Sequence, residues 1–159
     1  MGVEYRSRCA PRIRGVLERG APTFRIFSFL VGDHAGTVDP FYRAGIRELS
    51  SVQKNRMFNG RVLHQKDLRV PTITLDRLLE DNGIRRLDLL SIDIEEAEPA
   101  ALRGFDIERF SPKLVCIEAS PSIRKYIGEY FTEHGYHRLE RYLKDDRVSW
   151  YYAPVEPRH

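Results

Sequence analysis

The chain has 159 residues, 42% of them hydrophobic, with 11 glycines and 9 prolines; this suits one ordinary core and excludes a disordered chain, so a single domain over 1–159 is expected. A balance of 26 Lys and Arg against 23 Asp and Glu leaves a net charge of +3 without long basic blocks, which is no nucleic-acid footprint. Two cysteines make neither a disulfide scaffold nor a zinc site, and there is no 18-residue apolar run and no signal-peptide pattern, so a cytoplasmic protein without a membrane segment is expected.

In chain order, GVEY at the start reads as the end of a strand, and residues 6–15, RSRCAPRIRG, as a short helix interrupted at Pro11. Arg6, Arg8, Arg12 and Arg14 form a solvated face there, since no aromatic alternates with them as a base-stacking platform requires. FRIFSFLV, residues 24–31, is apolar on both faces past Arg25, as in a strand covered on two sides. GDHAG supplies turn residues, and TVDPFY reads as a short hairpin partner that Pro40 confines to a sheet edge. Residues 43–69 show no long period and carry many polar side chains, which predicts a partly ordered excursion over one end of the sheet.

VPTITLDRLLEDNG then places Thr74 as an N-cap, Leu75, Leu78 and Leu79 on one face, and Gly83 as the stop of a helix over 75–82. Leu87, Leu89, Leu90 and Ile92 follow as an apolar stretch too short for a core helix, which predicts a central strand over 87–93 covered on both faces. It ends in Asp93, Glu95, Glu96 and Glu98, at the C-terminal edge where open α/β sheets place their ligands. Asp93 and Glu95 share a face if the strand continues, and Glu95 and Glu98 share one if a helix has begun. The plain alternative is that these acids only favour the positive end of that helix.

Residues 99–110 open with Pro99 and supply the crossover, and PKLVCIEAS holds a second buried strand over 113–118, ending in Glu118. Ser120 before Pro121 starts a helix over 121–134, along which Ile123, Tyr126, Ile127, Tyr130 and Phe131 recur at three and four residues before Gly135. Two extended segments around KDDR close the chain as an antiparallel pair at the sheet edge.

Strand, helix, strand, helix and a terminal hairpin form the second half of a doubly wound sheet, and residues 70–105 with 112–120 resemble the FkbM family of S-adenosylmethionine-dependent methyltransferases. FLVGDHAG at 29–36 and the pair Ser50 and Ser51 add less specific matches. The family pattern runs from a valine and threonines through Leu-Asp and a helix to a strand ending Lys-Ile-Asp, then a hydrophobe, Glu-Gly-Ala-Glu and a helix containing Leu-x-Gly. This chain keeps the order and spacing but has Ser91 at the lysine and Glu96 at the glycine, which sets a side chain where the family has a tight backbone position.

The resemblance implies a partial Rossmann-like class I methyltransferase fold, mostly parallel, with a C-terminal antiparallel hairpin. It implies S-adenosylmethionine as cofactor and a hydroxyl of a sugar, glycan or small natural product as acceptor. Asp93 is then the general base or hydroxyl anchor, with Glu95, Glu98 and Glu118 orienting groups. Glu4 would bind the ribose, and Asp33 the adenine end. His34 and His64 are alternative bases. No glycine-rich cofactor turn is found, so the chain reads as N-terminally truncated relative to the family, with its open edge closed by the remaining strands, a second copy or a complementing chain. The competing expectation is a catalytically inactive remnant that serves as a binding or assembly module. The acids attract cations, and three or four such oxygens suit Mg²⁺ or another hard divalent ion, but their spacing is no distinctive ligand pattern and no metal is expected.

Overall fold

Thr74 sets the start of the first well-formed helix because its hydroxyl accepts from the Arg77 amide at 3.1 Å, satisfying one of the donors that a helix leaves open. The computed structural model describes residues 25, 27–44, 57–58, 61–62, 65–144, 146 and 148–155. Glu4, Cys9, the arginines of 6–15, Ser50, Ser51 and His64 lie outside them.

The strands are β1 (Leu30–Val31), β2 (Val38–Ala44), β3 (Met57–Phe58), β4 (Arg61–Val62), β5 (Gln65–Ile73), β6 (Leu89–Ile92), β7 (Leu114–Glu118), β8 (Tyr136–Arg138) and β9 (Ser149–Pro154). The helices are α1 (Leu75–Asp81), α2 (Glu98–Arg103), α3 (Ile107–Phe110) and α4 (Arg124–Glu133). Among the described residues they form a three-stranded sheet in the order β1-β5-β2, the ribbon β3-β4, and a four-stranded sheet in the order β6-β7-β9-β8.

This corrects the expected mostly parallel, Rossmann-like sheet. Only β1 with β5 and β6 with β7 run parallel; β2 with β5, β3 with β4, β7 with β9 and β8 with β9 are antiparallel, so antiparallel pairing predominates. The physical reason lies in β5. Its first residues, QKD, are polar and its apolar alternation is short, Leu68 and Val70 around Arg69, yet it pairs with β2 over seven residues, because a backbone ladder satisfies amides whatever the side chains are. Residues 65–69, read as part of an excursion, are therefore a strand. TVDPFY is its antiparallel partner at the sheet edge, as Pro40 required.

Two other expectations change. Of residues 24–31 only Leu30 and Val31 pair as strand among the described residues, and Phe27 and Phe29 are 47% and 40% exposed. Strand β6 is buried on one face only: Leu90 and Ile92 face the core while Leu89 is 54% exposed. The tail does pair antiparallel, but β9 lies inside the sheet between β7 and β8.

The core sits between the four-stranded sheet and the helices. Val115 and Ile117 of β7, Leu102 of α2, Ile107 and Phe110 of α3, and Ile127 and Phe131 of α4 are almost fully buried. Phe131 stacks on Tyr152 at 4.2 Å between ring centroids, and Tyr136 donates its hydroxyl to the Pro112 carbonyl at 2.9 Å. Leu-x-Gly, residues 102–104, has a packing reason: a Cβ at Gly104 would run into the Gly32 carbonyl and approach the Thr74 side chain to 3.1 Å. The end of α2 thus closes on the turn after β1 and on the start of α1. Asp76 strengthens this junction by accepting from the Asp106 amide at 2.7 Å, as its amide donates to the Gly104 carbonyl.

Candidate active site

Strand β6 stops at Ile92, and the chain turns sharply through Asp93, Ile94, Glu95 and Glu96 before α2 begins at Glu98. Neither face-sharing arrangement expected from the sequence applies, since the strand has ended and the helix has not begun. Instead Glu95 and Glu96 take left-handed backbone, φ 57° and 73°, at a cost of order 1–2 kcal/mol per residue. Glu96 stands where the family pattern has glycine, and its conformation is the one that glycine adopts freely. Its carboxylate accepts from the Ser120 hydroxyl at 3.1 Å and the Ser122 hydroxyl at 2.6 Å, which ties the turn after β6 to the segment after β7. Ser120 thereby spends its hydroxyl on Glu96 rather than capping α4, which starts later, at Arg124 behind Ile123.

The turn brings Asp93 and Glu98 against Glu118 at the end of β7. One carboxylate oxygen from each lies within 4.8 Å of the others. The parallel register of β6 and β7, with Ile92 opposite Ile117, sets the two strand ends side by side and so makes this meeting possible. Glu98 is 0% exposed; its Oε1 accepts from the Ile94 amide at 2.8 Å, and its Oε2 is buried without a hydrogen-bond partner. Glu118 Oε2 is buried and unpartnered as well. Burial raises the Glu98 carboxyl above its ordinary range. Glu118 is pushed up to about 7, by burial first and then by the charges of Asp93, Glu95 and Glu98. All four acids named from the sequence are thus in electrostatic contact.

Asp33 is elsewhere, on the turn after β1, where it pairs with Arg103 at 2.7 Å and with His34 at 2.9 Å. His34 also meets Asp39 at 2.9 Å, and Asp39 accepts from the hydroxyls of Thr37 and Thr72. These hydrogen bonds hold Asp33 and Asp39 down at about 2 and raise His34. His34 therefore belongs to an exposed ionic cluster apart from the acidic turn. Ser120, Ser122 and Arg103 were missed by sequence reasoning. Ser120 and Ser122 flank a proline and read as helix-start residues, and an arginine in an exposed helix turn carries no mark of its partner.

Carboxylates gathered at the C-terminal ends of two parallel strands, beside a helix start, define an α/β domain with an acidic mouth at the edge where such sheets place their ligands. Residues 9–145 match the methyltransferase FkbM domain, which spans most of the chain, and the chain belongs to that family. S-adenosylmethionine dependence is general to the family. No curated protein and no solved structure matches the chain. Among the described residues no helix is long and apolar enough to cross a membrane.

The donor set fits a ligand that combines positive charge with hydroxyl groups, because two buried carboxylate oxygens await donors beside Asp93. A sulfonium methyl donor and a hydroxyl acceptor together present such groups. Asp33 already engages both its oxygens, so contact with an adenine would be shared with His34 and Arg103.

Proposed function

We propose that this domain transfers a methyl group to a hydroxyl of a sugar, glycan or small natural product, with S-adenosylmethionine as the donor. The observation that carries the reading is the pair of buried, unpartnered oxygens of Glu98 and Glu118 beside Asp93 at the mouth of β6 and β7. S-adenosylmethionine, when bound, supplies an electrophilic methyl on sulfur. Asp93, exposed at the strand end, anchors the acceptor hydroxyl and takes its proton as the oxygen becomes nucleophilic. Glu95, Glu98 and Glu118 orient that hydroxyl, and much of the rate would come from holding it in line. Glu4 and Asp33 are proposed to face the cofactor's ribose and adenine, by the family resemblance. A chain with two cysteines, Cys9 and Cys116, and no disulfide-scaffold spacing suits a reducing, cytoplasmic setting.

The test is release of S-adenosylhomocysteine by the full chain against a panel of monosaccharides, oligosaccharides and hydroxylated natural products. Turnover that depends on one acceptor class supports the reading and names the substrate. Absence of turnover across the panel by a folded chain sinks it in favour of the binding module.

A further inference from the structure

We propose that Asp93, Glu98 and Glu118, brought together by the turn after β6 and the end of β7, form a binding site for one hard divalent cation of the Mg²⁺, Mn²⁺ or Ca²⁺ class. The three ligand oxygens lie within 4.8 Å of one another. Two oxygens on one ion stand at most about 4.6–5.2 Å apart for Ca²⁺ and about 4.2 Å for Mg²⁺, so three oxygens within 4.8 Å of one another form a cluster of the size that a single hard cation can gather by small side-chain movements. An all-oxygen, all-anionic set selects hard cations and disfavours Zn²⁺ or Cu²⁺, which prefer nitrogen and sulfur.

The second observation is independent of the clustering. Glu98 is fully buried, and its Oε2 has no hydrogen-bond donor, as is true of Glu118 Oε2. A buried carboxylate oxygen without a partner forfeits its hydration for nothing in return, and natural structures rarely leave such an atom unsatisfied. Among the described residues, no lysine or arginine pairs with any of the three acids. The backbone supports the cluster too: the Ile94 amide grips Glu98 Oε1 and leaves Oε2 available. Water and the substrate's oxygens would complete a six- to eight-oxygen shell. Each acid needs to give only one oxygen, so Asp93 keeps its second for the acceptor hydroxyl. The site does not depend on the proposed methyl transfer.

The full chain, stripped with a chelator and dialysed, is titrated with Mn²⁺ by electron paramagnetic resonance and with Mg²⁺ and Ca²⁺ by calorimetry. One Mn²⁺ per chain with a dissociation constant of about 1 mM or tighter is expected. Removing an outer-shell partner costs about 10–100-fold in affinity, so loss of a ligand in Glu118→Gln or Asp93→Asn should weaken Mn²⁺ by at least about tenfold. Mn²⁺ should raise the melting temperature of the unsubstituted chain but not of Glu118→Gln, whose metal-free melting temperature should equal or exceed the parent's because one repelled charge is gone. No Mn²⁺ uptake up to about 10 mM, an order above the weakest dedicated calcium modules, would overturn the site, as would equal uptake by both variants. A shared proton would then account for the cluster. Mn²⁺ bound by a chain that methylates nothing upholds the site and sinks the reaction; methyl transfer by a chain that binds no Mn²⁺ does the reverse.

Discussion

Two groups of acids lie at the ends of strands in this molecule and have opposite settings. At the mouth of β6 and β7, Glu98 and Glu118 are drawn into the protein, leave an oxygen each without a donor, and are raised above their ordinary range. On the turn after β1 and at the start of β2, Asp33 and Asp39 stay near the surface, bound by Arg103, His34, Thr37 and Thr72, and are held down at about 2. The same residue type is a fastening in one place and an unsatisfied acceptor in the other. The difference is the number of donors within reach, not the number of acids. Unsatisfied acceptors invite a ligand, whereas satisfied ones hold two segments together.

The largest expected effect separates the two groups by chemistry. Asp93→Ala should lower turnover by about 10²–10⁴-fold, the range for a positioned general base, with little change in S-adenosylmethionine affinity. Glu4→Ala should do the reverse, and Arg103→Ala, which loosens Asp33, should weaken the cofactor more than it lowers turnover at saturating cofactor. Steady-state rates beside cofactor dissociation constants decide this, and an equal loss of turnover in Asp93→Ala and Arg103→Ala would erase the distinction.

Gly104 joins the two regions, since α2 leads from the acidic turn to Arg103 and closes on Gly32 beside Asp33. Gly104→Ala forces a methyl against backbone and should destabilise by about 1–3 kcal/mol in urea unfolding, as overpacking does. An unchanged midpoint would mean that the junction yields without cost.

A smaller effect tests the strain in the acidic turn. Glu96→Ala and Glu96→Gly both lose the tether to Ser120 and Ser122, but only glycine relieves the left-handed backbone. The glycine variant should therefore be more stable than the alanine variant by about 1 kcal/mol. Equal stability would remove strain from the description of this turn.

The smallest effect belongs to the exposed cluster. Because His34 is raised above its ordinary 6.5 by Asp33 and Asp39, its contribution is fully present below that value and is lost as pH rises through its folded value. Asp33 and Asp39, lowered from 3.8 to about 2, contribute above 3.8 and lose this as pH falls toward 2. Exposure and salt screening keep both effects slight. Melting temperatures of His34→Gln against the parent across this range should converge at high pH, and a constant gap would show that the histidine acts without its charge.

The sequence by itself determined what rests on local signals. Thr74 as cap, Gly83 and Gly135 as stops in positive φ, the apolar spacing of α4 and the acids after β6 were legible because caps, turns and helical periods act within a few residues. The family resemblance over residues 70–120 was legible for the same reason, as a run of motifs in order. Only the tertiary structure decided the pairing directions, because β5 is held by its ladder to β2 and its alternation around Leu68 and Val70 is too short to give a partner or a direction. It alone decided the site as well. That Glu118 of β7 meets Asp93 and Glu98, that Glu96 spends its charge on two serines, and that Asp33 is bound to Arg103 seventy residues away depend on chain segments distant in sequence. Burial and the count of nearby donors, which set whether a carboxylate is satisfied, exist only once those segments are packed together.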